Sequence, residues 1–215
     1  MKVIAVNGSP RKEWNTATLL RRALDGAASK GAEAKLVHLY DMDYKGCYSC
    51  FACKLKGGRS YGKCAANDGL KPLLDEIAES DALILGSPVY FGAVTGQMRS
   101  FLERLTFPFV EYNLQQTSLY RGNLRRTAWI ATMNIPEQAL GEYGYDTTFD
   151  GLEKLMKRVF GRCEWLSATD TLQFDDYSRY ASSRFDPDAK KRRHETVFPE
   201  VCKKAFDMGA RFADG

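Results

Sequence analysis

The 215-residue sequence lacks the features of exported, membrane and disordered proteins. The apolar run after Met1 is much shorter than a signal-peptide core, and no segment approaches the roughly 20 apolar residues that a membrane span needs. No low-complexity block is present, prolines number only 7, and 44% of the residues are hydrophobic, as in globular proteins. We therefore expect a cytoplasmic protein with no membrane partner, of a length that is ordinary for one domain.

Histidine is scarce, and a strong excess of basic charge is missing. His38 and His194 supply neither a catalytic dyad nor an HExxH metal site. The formal net charge of +4 suits an anionic ligand but falls short of a nucleic-acid-binding surface, so we expect no nucleic acid partner. The densest basic run, residues 190–193, is typical of a solvated helix or loop face.

Five apolar, strand-like runs alternate with segments of helical periodicity. The runs are residues 2–8, 35–40, 82–88, 127–133 and 163–170. Because they are continuously apolar, the strands should form a parallel sheet that is covered by helices on both faces. The pattern predicts an α/β fold, a flavodoxin-like doubly wound five-stranded parallel sheet of order 2-1-3-4-5.

The sequence predicts a single domain that covers residues 1–215 and contains three longer segments between these elements. A cysteine-rich loop occupies residues 46–64. The connections at 107–124 and 171–198 are too long for plain turns, and we expect them to act as lids or subunit contacts. Asn15, Asp68 and Asp150 stand where the N-caps of helices are expected.

The first strand is followed by a turn rich in hydrogen-bond donors, GSPRKEWNTAT at residues 8–18. In a doubly wound sheet, ligands bind beyond the carboxyl ends of the strands, where the first strand leads into its helix. A phosphate there can accept hydrogen bonds from side chains and from N–H groups at the helix start, and an arginine adds a bidentate cation. The candidate side chains are Ser9, Arg11, Asn15, Thr16 and Thr18. An N-capped turn without a ligand is the alternative, but the surplus of donors favours phosphate.

A second loop, GSPVYFGAVTGQM at residues 86–98, follows the third strand. Pro88 fixes the backbone, Gly92 permits a close backbone approach, and Tyr90 and Phe91 offer flat apolar faces. The two aromatic side chains could instead close the end of the sheet. Because the donor-rich turn follows a neighbouring strand, a planar cofactor that carries a phosphate accounts for both loops. The usual dinucleotide fingerprint, G-x-G-x-x-G, is missing.

Together the two loops, GSPRKEWNT and GSPVYFGAVTGQMRSFLER, resemble those of the NADPH-dependent FMN reductases and iron-sulfur flavoproteins of the flavodoxin-like superfamily. The resemblance covers roughly residues 1–135 and implies that the first loop holds the phosphate of FMN. It also implies that the isoalloxazine is lined by Pro88, Val89, Tyr90, Phe91 and Gly92 on one side and by Thr132, Met133 and Asn134 on the other.

Four of the six cysteines lie close together in the stretch GCYSCFACKLKGGRSYGKC. Cys47, Cys50 and Cys53 have the spacing of bacterial ferredoxin ligands, and Cys64 would supply a fourth thiolate for a 4Fe-4S cluster. The stretch also resembles the cysteine motif of iron-sulfur flavoproteins. A tetrahedral zinc site and a loop of thiols without metal are the alternatives.

The resulting hypothesis is an FMN-dependent NAD(P)H oxidoreductase in which the flavin carries the chemistry and no catalytic acid or base is required. Electrons would pass from NAD(P)H through FMN to a quinone, free flavin or another small acceptor, with or without a 4Fe-4S cluster on the way. The alternative is a non-enzymatic flavodoxin-like electron-transfer protein that serves a redox protein partner. Analogy with the family predicts a homodimer or homotetramer.

Overall fold

A computed structural model describes residues 1–124 and 126–214; Arg125 and Gly215, which the predicted domain includes, lie outside the described residues. The strands are β1 (Lys2–Asn7), β2 (Glu33–His38), β3 (Ala82–Tyr90), β4 (Ala93–Val94), β5 (Arg126–Thr132) and β6 (Glu164–Ala168). The α-helices are α1 (Asn15–Ala28), α2 (Lys71–Glu79), α3 (Gly96–Thr106), α4 (Tyr145–Phe160), α5 (Pro187–Thr196) and α6 (Phe198–Ala213). Within the described ranges, no helix is both long and apolar enough to cross a membrane.

Five of the strands run parallel in the order β2-β1-β3-β5-β6. Strand β4 has two residues and pairs antiparallel with the end of β3. Counted along the chain, the five parallel strands have the order 2-1-3-4-5. The predicted flavodoxin-like sheet is therefore confirmed, with β4 as an addition.

The addition comes from a hairpin in the loop that was predicted at 86–98. Strand β3 continues through Pro88 to Tyr90, and the chain turns at Phe91 and Gly92, whose φ angles are 51° and 77°. Two central residues with positive φ are the signature of a type I′ turn, the form that suits the twist of paired strands. The turn leaves the Phe91 side chain fully exposed.

The core lies on both faces of the sheet because successive side chains of a strand point to opposite sides. In β1, Val3 and Ala5 join the cluster under α1 and α6. Ile4 and Val6 join the larger cluster on the other face, under α2, α3 and α4. All four side chains are fully buried.

Helices α1 and α6 approach each other until their backbones touch. A Cβ atom added to Gly209 would lie 1.7 Å from the carbonyl oxygen of Ala23, and one added to Gly26 would lie 1.9 Å from the carbonyl oxygen of Phe206. Only glycine permits this approach, since a side chain at either position would overlap the facing backbone.

Two sequence-based expectations are wrong in detail. None of the three predicted N-caps is one. Asn15 is the first residue of α1, which follows Trp14, and Asp150 lies inside α4, which follows Gly144. The N-cap of α2 is Leu70, two residues after Asp68. The stretch 171–198 is not merely a connection, because it contains α5. The carboxylate of Asp186 caps α5 by accepting hydrogen bonds from the backbone N–H groups of residues 188 and 189.

Candidate functional site

A cavity of about 110 Å³ lies at the carboxyl ends of β1, β3 and β5. It is lined by ten of the thirteen residues that the sequence predicted for a cofactor: Ser9, Arg11, Asn15, Thr16, Pro88, Val89, Tyr90, Thr132, Met133 and Asn134. The remaining lining residues are Trp14, Thr171, Leu172 and Gln173. Two loops distant in sequence are thus brought together, as parallel strands that end at one edge of a sheet require.

The turn after β1 is held in shape by its own polar groups. Buried Asn7 accepts a hydrogen bond from the backbone N–H of Ser9 at 3.0 Å. The Ser9 hydroxyl in turn accepts one from the backbone N–H of Arg11 at 3.1 Å. The amide of Asn7 also contacts Nδ1 of His38 at 2.9 Å, and burial lowers the pKa of His38. The neutral imidazole is therefore favoured beside this turn.

The start of α1 is suited to an anion. The structure gives no side-chain cap to this helix within residues 1–124 and 126–214, and its first turn carries no acidic residue. The first backbone hydrogen bond of the helix runs from Thr18 to the carbonyl of Trp14 at 2.9 Å. N–H groups that precede this bond have no acceptor inside the helix and lie at the positive end of its dipole. A phosphate placed here would accept hydrogen bonds from these N–H groups and would be stabilised by the helix dipole.

Three side-chain donors of the first loop converge on two carbonyl oxygens of the segment after β6. Arg11 donates to the carbonyl of Gln173 at 2.7 Å, and Asn15 donates to the carbonyl of Leu172 at 2.8 Å. The indole N–H of Trp14 also donates to Leu172, at 3.1 Å. These carbonyls show that oxygen acceptors fit between the three donors, which is the chemistry that a phosphate requires.

The floor of the cavity is closed by the hydroxyls of Thr16 and Thr132, which lie 2.7 Å apart and are buried. This contact joins the start of α1 to the end of β5. Beyond this contact, the backbone N–H of Met133 donates to the carbonyl of Ala168 at 2.9 Å. The carbonyl of Met133 accepts a hydrogen bond from the backbone N–H of Thr171, also at 2.9 Å. The wall formed by Met133 and Thr171 is therefore fixed to the sheet by backbone hydrogen bonds.

Lys190 corrects the prediction that residues 190–193 are a solvated face, because its side chain is only 4% exposed. Its ammonium group contacts the carboxylate of Asp170 and donates to the backbone carbonyl of Asn134 at 2.9 Å. It also contacts Oδ1 of Asn134. Burial lowers the pKa of Lys190, although the Asp170 carboxylate acts in the opposite direction.

Three predicted site residues do not line the cavity. Thr18 lies one turn into α1, beyond the helix start. Phe91 and Gly92 form the tip of the β3–β4 hairpin and do not line the cavity, whereas Tyr90 lines it and is 44% exposed. A ligand that filled the cavity would meet the hairpin at Pro88, Val89 and Tyr90 before it reached the tip.

The cysteine-rich loop shows two exposed thiols, Cys47 and Cys50, a buried one, Cys53, and a half-buried one, Cys64. In the part of the chain that the structure describes, no group of three or more His, Cys, Asp or Glu residues is placed to hold a metal ion. Ligation of a 4Fe-4S cluster by the four cysteines stays a prediction.

Arg104 on α3 anchors this loop to the core, and nothing in the sequence singled it out. Its side chain is 1% exposed, and it makes two hydrogen bonds to the carboxylate of Asp68, at 2.6 and 2.9 Å. It also donates to the carbonyl of Lys45 at 3.0 Å and to Sγ of Cys64 at 3.1 Å. The guanidinium lowers the pKa of Asp68 by these hydrogen bonds.

The segment after β6 was missed as part of the site. Thr171, Leu172 and Gln173 lie within the stretch that was expected to be a lid or subunit contact. The signal was available, because the carboxyl end of the last parallel strand lies at the same edge as those of β1 and β5. Trp14 gave no such signal, since its contribution is a single donor in a polar turn.

Residues 1–122 match the sequence model of the NADPH-dependent FMN reductase family. A stretch of 104 residues, 48% of the chain, is 41% identical to an iron-sulfur flavoprotein of Methanocaldococcus jannaschii. The match covers 51% of that relative, so the chain spans about half of its length.

Solved structures resemble the whole chain. An NAD(P)H:quinone oxidoreductase from Methanothermobacter marburgensis superposes with a TM-score of 0.67 at 14% identity, over 100% of this chain and 98% of the other. An FMN-dependent NADH-azoreductase from Bacillus anthracis in complex with FMN gives 0.66 at 11% identity, over 100% of both chains. At such identities the likeness shows the fold alone.

Proposed function

The chain belongs to the NADPH-dependent FMN reductase family, a family of flavin-dependent oxidoreductases, and from that premise we propose that it binds FMN in the cavity and oxidises NAD(P)H. The membership confirms the resemblance seen in the two loops. The observation that carries the proposal is the convergence of donors from Arg11, Trp14 and Asn15 beside the uncapped start of α1. An anionic group is the ligand that this arrangement favours.

In this proposal the phosphate of FMN takes the acceptor positions that the Leu172 and Gln173 carbonyls now hold. Arg11 would supply a bidentate cation, and Asn15 and Ser9 would supply neutral polar groups. The cavity of about 110 Å³ is smaller than the 300–1,000 Å³ usual for ligand pockets. Residues 172 and 173 would therefore move aside as the phosphate enters, and the rest of the cofactor would lie across the open mouth beside Tyr90.

Bound FMN would accept a hydride from a nicotinamide and pass electrons to a quinone, free flavin or another small acceptor. The protein's part is to hold the ring and shape its surroundings. Pro88 and Val89 would cover one side, and Met133 and Asn134 the other. The exposed ring of Tyr90 at the cavity mouth offers a flat surface for a second planar molecule.

The phosphate assignment is tested by titrating Arg11→Ala with FMN and with riboflavin, which lacks the phosphate. A lost hydrogen bond between charged groups costs about 1.5–3 kcal/mol, so the Kd for FMN should rise roughly tenfold to a hundredfold. The Kd for riboflavin should stay as in the wild type. Lys12→Ala is the matched control, because Lys12 is an exposed cation next in sequence. An equal rise in the Kd for FMN in Arg11→Ala and Lys12→Ala would contradict the assignment.

The oxidoreductase activity is tested by following oxidation of NADH and NADPH by the FMN-loaded protein with a quinone or free flavin as acceptor. Steady turnover that depends on the acceptor supports the enzyme. Flavin that is reduced only in the presence of a partner protein would contradict it and favour the electron-transfer protein.

The second candidate, an electron-transfer protein with a 4Fe-4S cluster, is favoured by the named relative of 41% identity and by the exposed cysteine-rich loop. Tyr48 and Phe51, which are 65% and 53% exposed, would offer apolar contacts to a partner protein beside Cys47 and Cys50. Iron and sulfide analysis of protein purified without oxygen decides whether the loop holds a cluster. Zinc analysis of the same sample tests the other metal.

We also propose that copies of the chain associate as homodimers or homotetramers. Large apolar side chains are exposed at Phe91, Tyr112 and Leu114. Single exposed apolar residues are ordinary, but three large side chains that are each at least 77% exposed on two loops favour a surface that meets a partner. Light scattering on the eluting protein would measure the mass of the assembly.

A further inference from the structure

Lys190 is a buried cation that the proposed function does not use. It lies on α5, where its neighbour Lys191 is exposed. Its ammonium group is held by the carboxylate of Asp170 and by two oxygens of Asn134, the backbone carbonyl and Oδ1. Burying an ammonium group is costly unless each of its N–H groups finds an acceptor, and this site supplies three. Such a site fixes the groups around it.

The contact with Lys190 decides which end of the Asn134 amide faces the cavity. An ammonium group can only donate, so the amide atom beside it must be the oxygen. The nitrogen, Nδ2, then points the other way and donates to Oε1 of Gln173 at 2.6 Å. Asn134 and Gln173 both line the cavity. Lys190 therefore makes Asn134 a hydrogen-bond donor toward the cavity.

We propose that Lys190 is a positioning residue which, by holding Oδ1 of Asn134, presents Nδ2 as a donor that favours reduced over oxidised flavin. This inference rests on the proposed binding of FMN. The acceptor atoms of the flavin ring gain electron density on reduction, and a donor fixed beforehand stabilises charge where it develops. Lys190 acts through Asn134 and does not itself line this cavity.

The variant that tests this role is Lys190→Met, which keeps a side chain of similar length and removes the charge. Without the ammonium group the Asn134 amide can rotate and present either end. The Kd for reduced FMN should then rise about tenfold more than the Kd for oxidised FMN, equal to about 30 mV in a two-electron midpoint potential. Lys191→Met is the control, and it should leave both constants unchanged.

The experiment measures both constants, or one constant and the midpoint potential, for the wild type, Lys190→Met, Asn134→Leu and the double variant. A purely structural role for Lys190 would weaken both redox forms equally. A role through Asn134 predicts that Lys190→Met has no further effect on the redox preference once Asn134 is leucine. Thermal unfolding of each variant shows which of them fold.

Each outcome bears on a different statement. Failure of the wild type to bind FMN overturns the proposed function and this inference with it. Binding by the wild type together with an unchanged redox preference in Lys190→Met overturns the inference alone, and so does an effect that persists in the double variant. If Lys190→Met does not fold, Asn134→Leu decides, because Lys190 keeps the Asp170 carboxylate and the residue 134 carbonyl in that variant. An unchanged preference in Asn134→Leu would refute the role of the amide.

Discussion

Replacing Arg104 by methionine tests whether one buried cation holds the cysteine-rich loop against α3. The guanidinium makes two hydrogen bonds to Asp68 and one each to the Lys45 carbonyl and the Cys64 sulfur. Removing one partner of a buried ion pair costs about 3–5 kcal/mol because the other charge is left without compensation. Asp68 is 29% exposed and keeps part of its hydration, so we expect the lower end, about 3 kcal/mol.

The assay is urea unfolding followed by far-ultraviolet circular dichroism. With a slope of about 2 kcal/mol per molar urea, a loss of 3 kcal/mol lowers the midpoint by about 1.5 M. Arg99→Met is the matched control on the same helix, since Arg99 is 66% exposed and its contact with Glu103 is 3.6 Å long. Such a surface pair contributes about 0.5 kcal/mol or less.

The reasoning is refuted if the two arginine variants unfold at the same urea concentration. A second readout is local. Amide hydrogen exchange in residues 45–68 should quicken in Arg104→Met and stay unchanged in Arg99→Met, because only the first variant removes the hydrogen bonds to Asp68, Cys64 and the Lys45 carbonyl.

Three other predictions follow from packing, charge and burial. Gly209→Ala should destabilise the protein by at least about 1–3 kcal/mol, because the new Cβ would overlap the α1 backbone. Gly151 has open space around it, so Gly151→Ala should be neutral or stabilising by up to about 1 kcal/mol, and thermal unfolding compares the two variants. The pKa of Asp68 is lowered in the folded protein, so the contribution of its ionised form to stability is complete above the unfolded pKa near 3.8 and is lost as the pH falls below that value. Asp68→Asn should therefore weaken the loss of stability at acid pH, and an unchanged dependence of stability on pH would contradict this. Burial raises the pKa of Cys163 to about 11, so at pH 8 this thiol should react with a disulfide reagent far more slowly than exposed Cys50, as peptide mass spectrometry would show; equal rates would argue against its burial.

The strands were predictable because they are continuously apolar, and apolar runs in alternation with helical segments leave few arrangements. Helix α5 was not predictable in this way, since it is polar on all sides and buries only Lys190. Its N-terminal signals, Asp186 followed by Pro187, were present but had no apolar stripe behind them. Local capping residues predict a helix only when a buried face accompanies them.

The outline of the site was predictable, and so was the edge of the sheet where its far wall lies, but the contacts of that wall were not. Ser9, Arg11 and Asn15 were identified from donor chemistry at a strand end. Leu172 and Gln173 contribute through backbone carbonyls, and a sequence pattern carries no information about where a carbonyl points. Burial of one lysine within a run of four basic residues likewise depends on tertiary contacts that periodicity does not reveal.

The close approach of α1 and α6, at Gly26 against Phe206 and at Gly209 against Ala23, has a consequence for the order of assembly. Helix α6 covers the same side of the sheet as α1, and almost the entire chain separates the two in sequence. Loop closure on that scale is slow, so the part of this side of the sheet that α6 covers stays exposed until α6 has docked. A nascent or partly folded chain would expose apolar side chains of β1 and α1 and would be prone to aggregate. Protection by a chaperone would therefore matter most before residue 198 is synthesised.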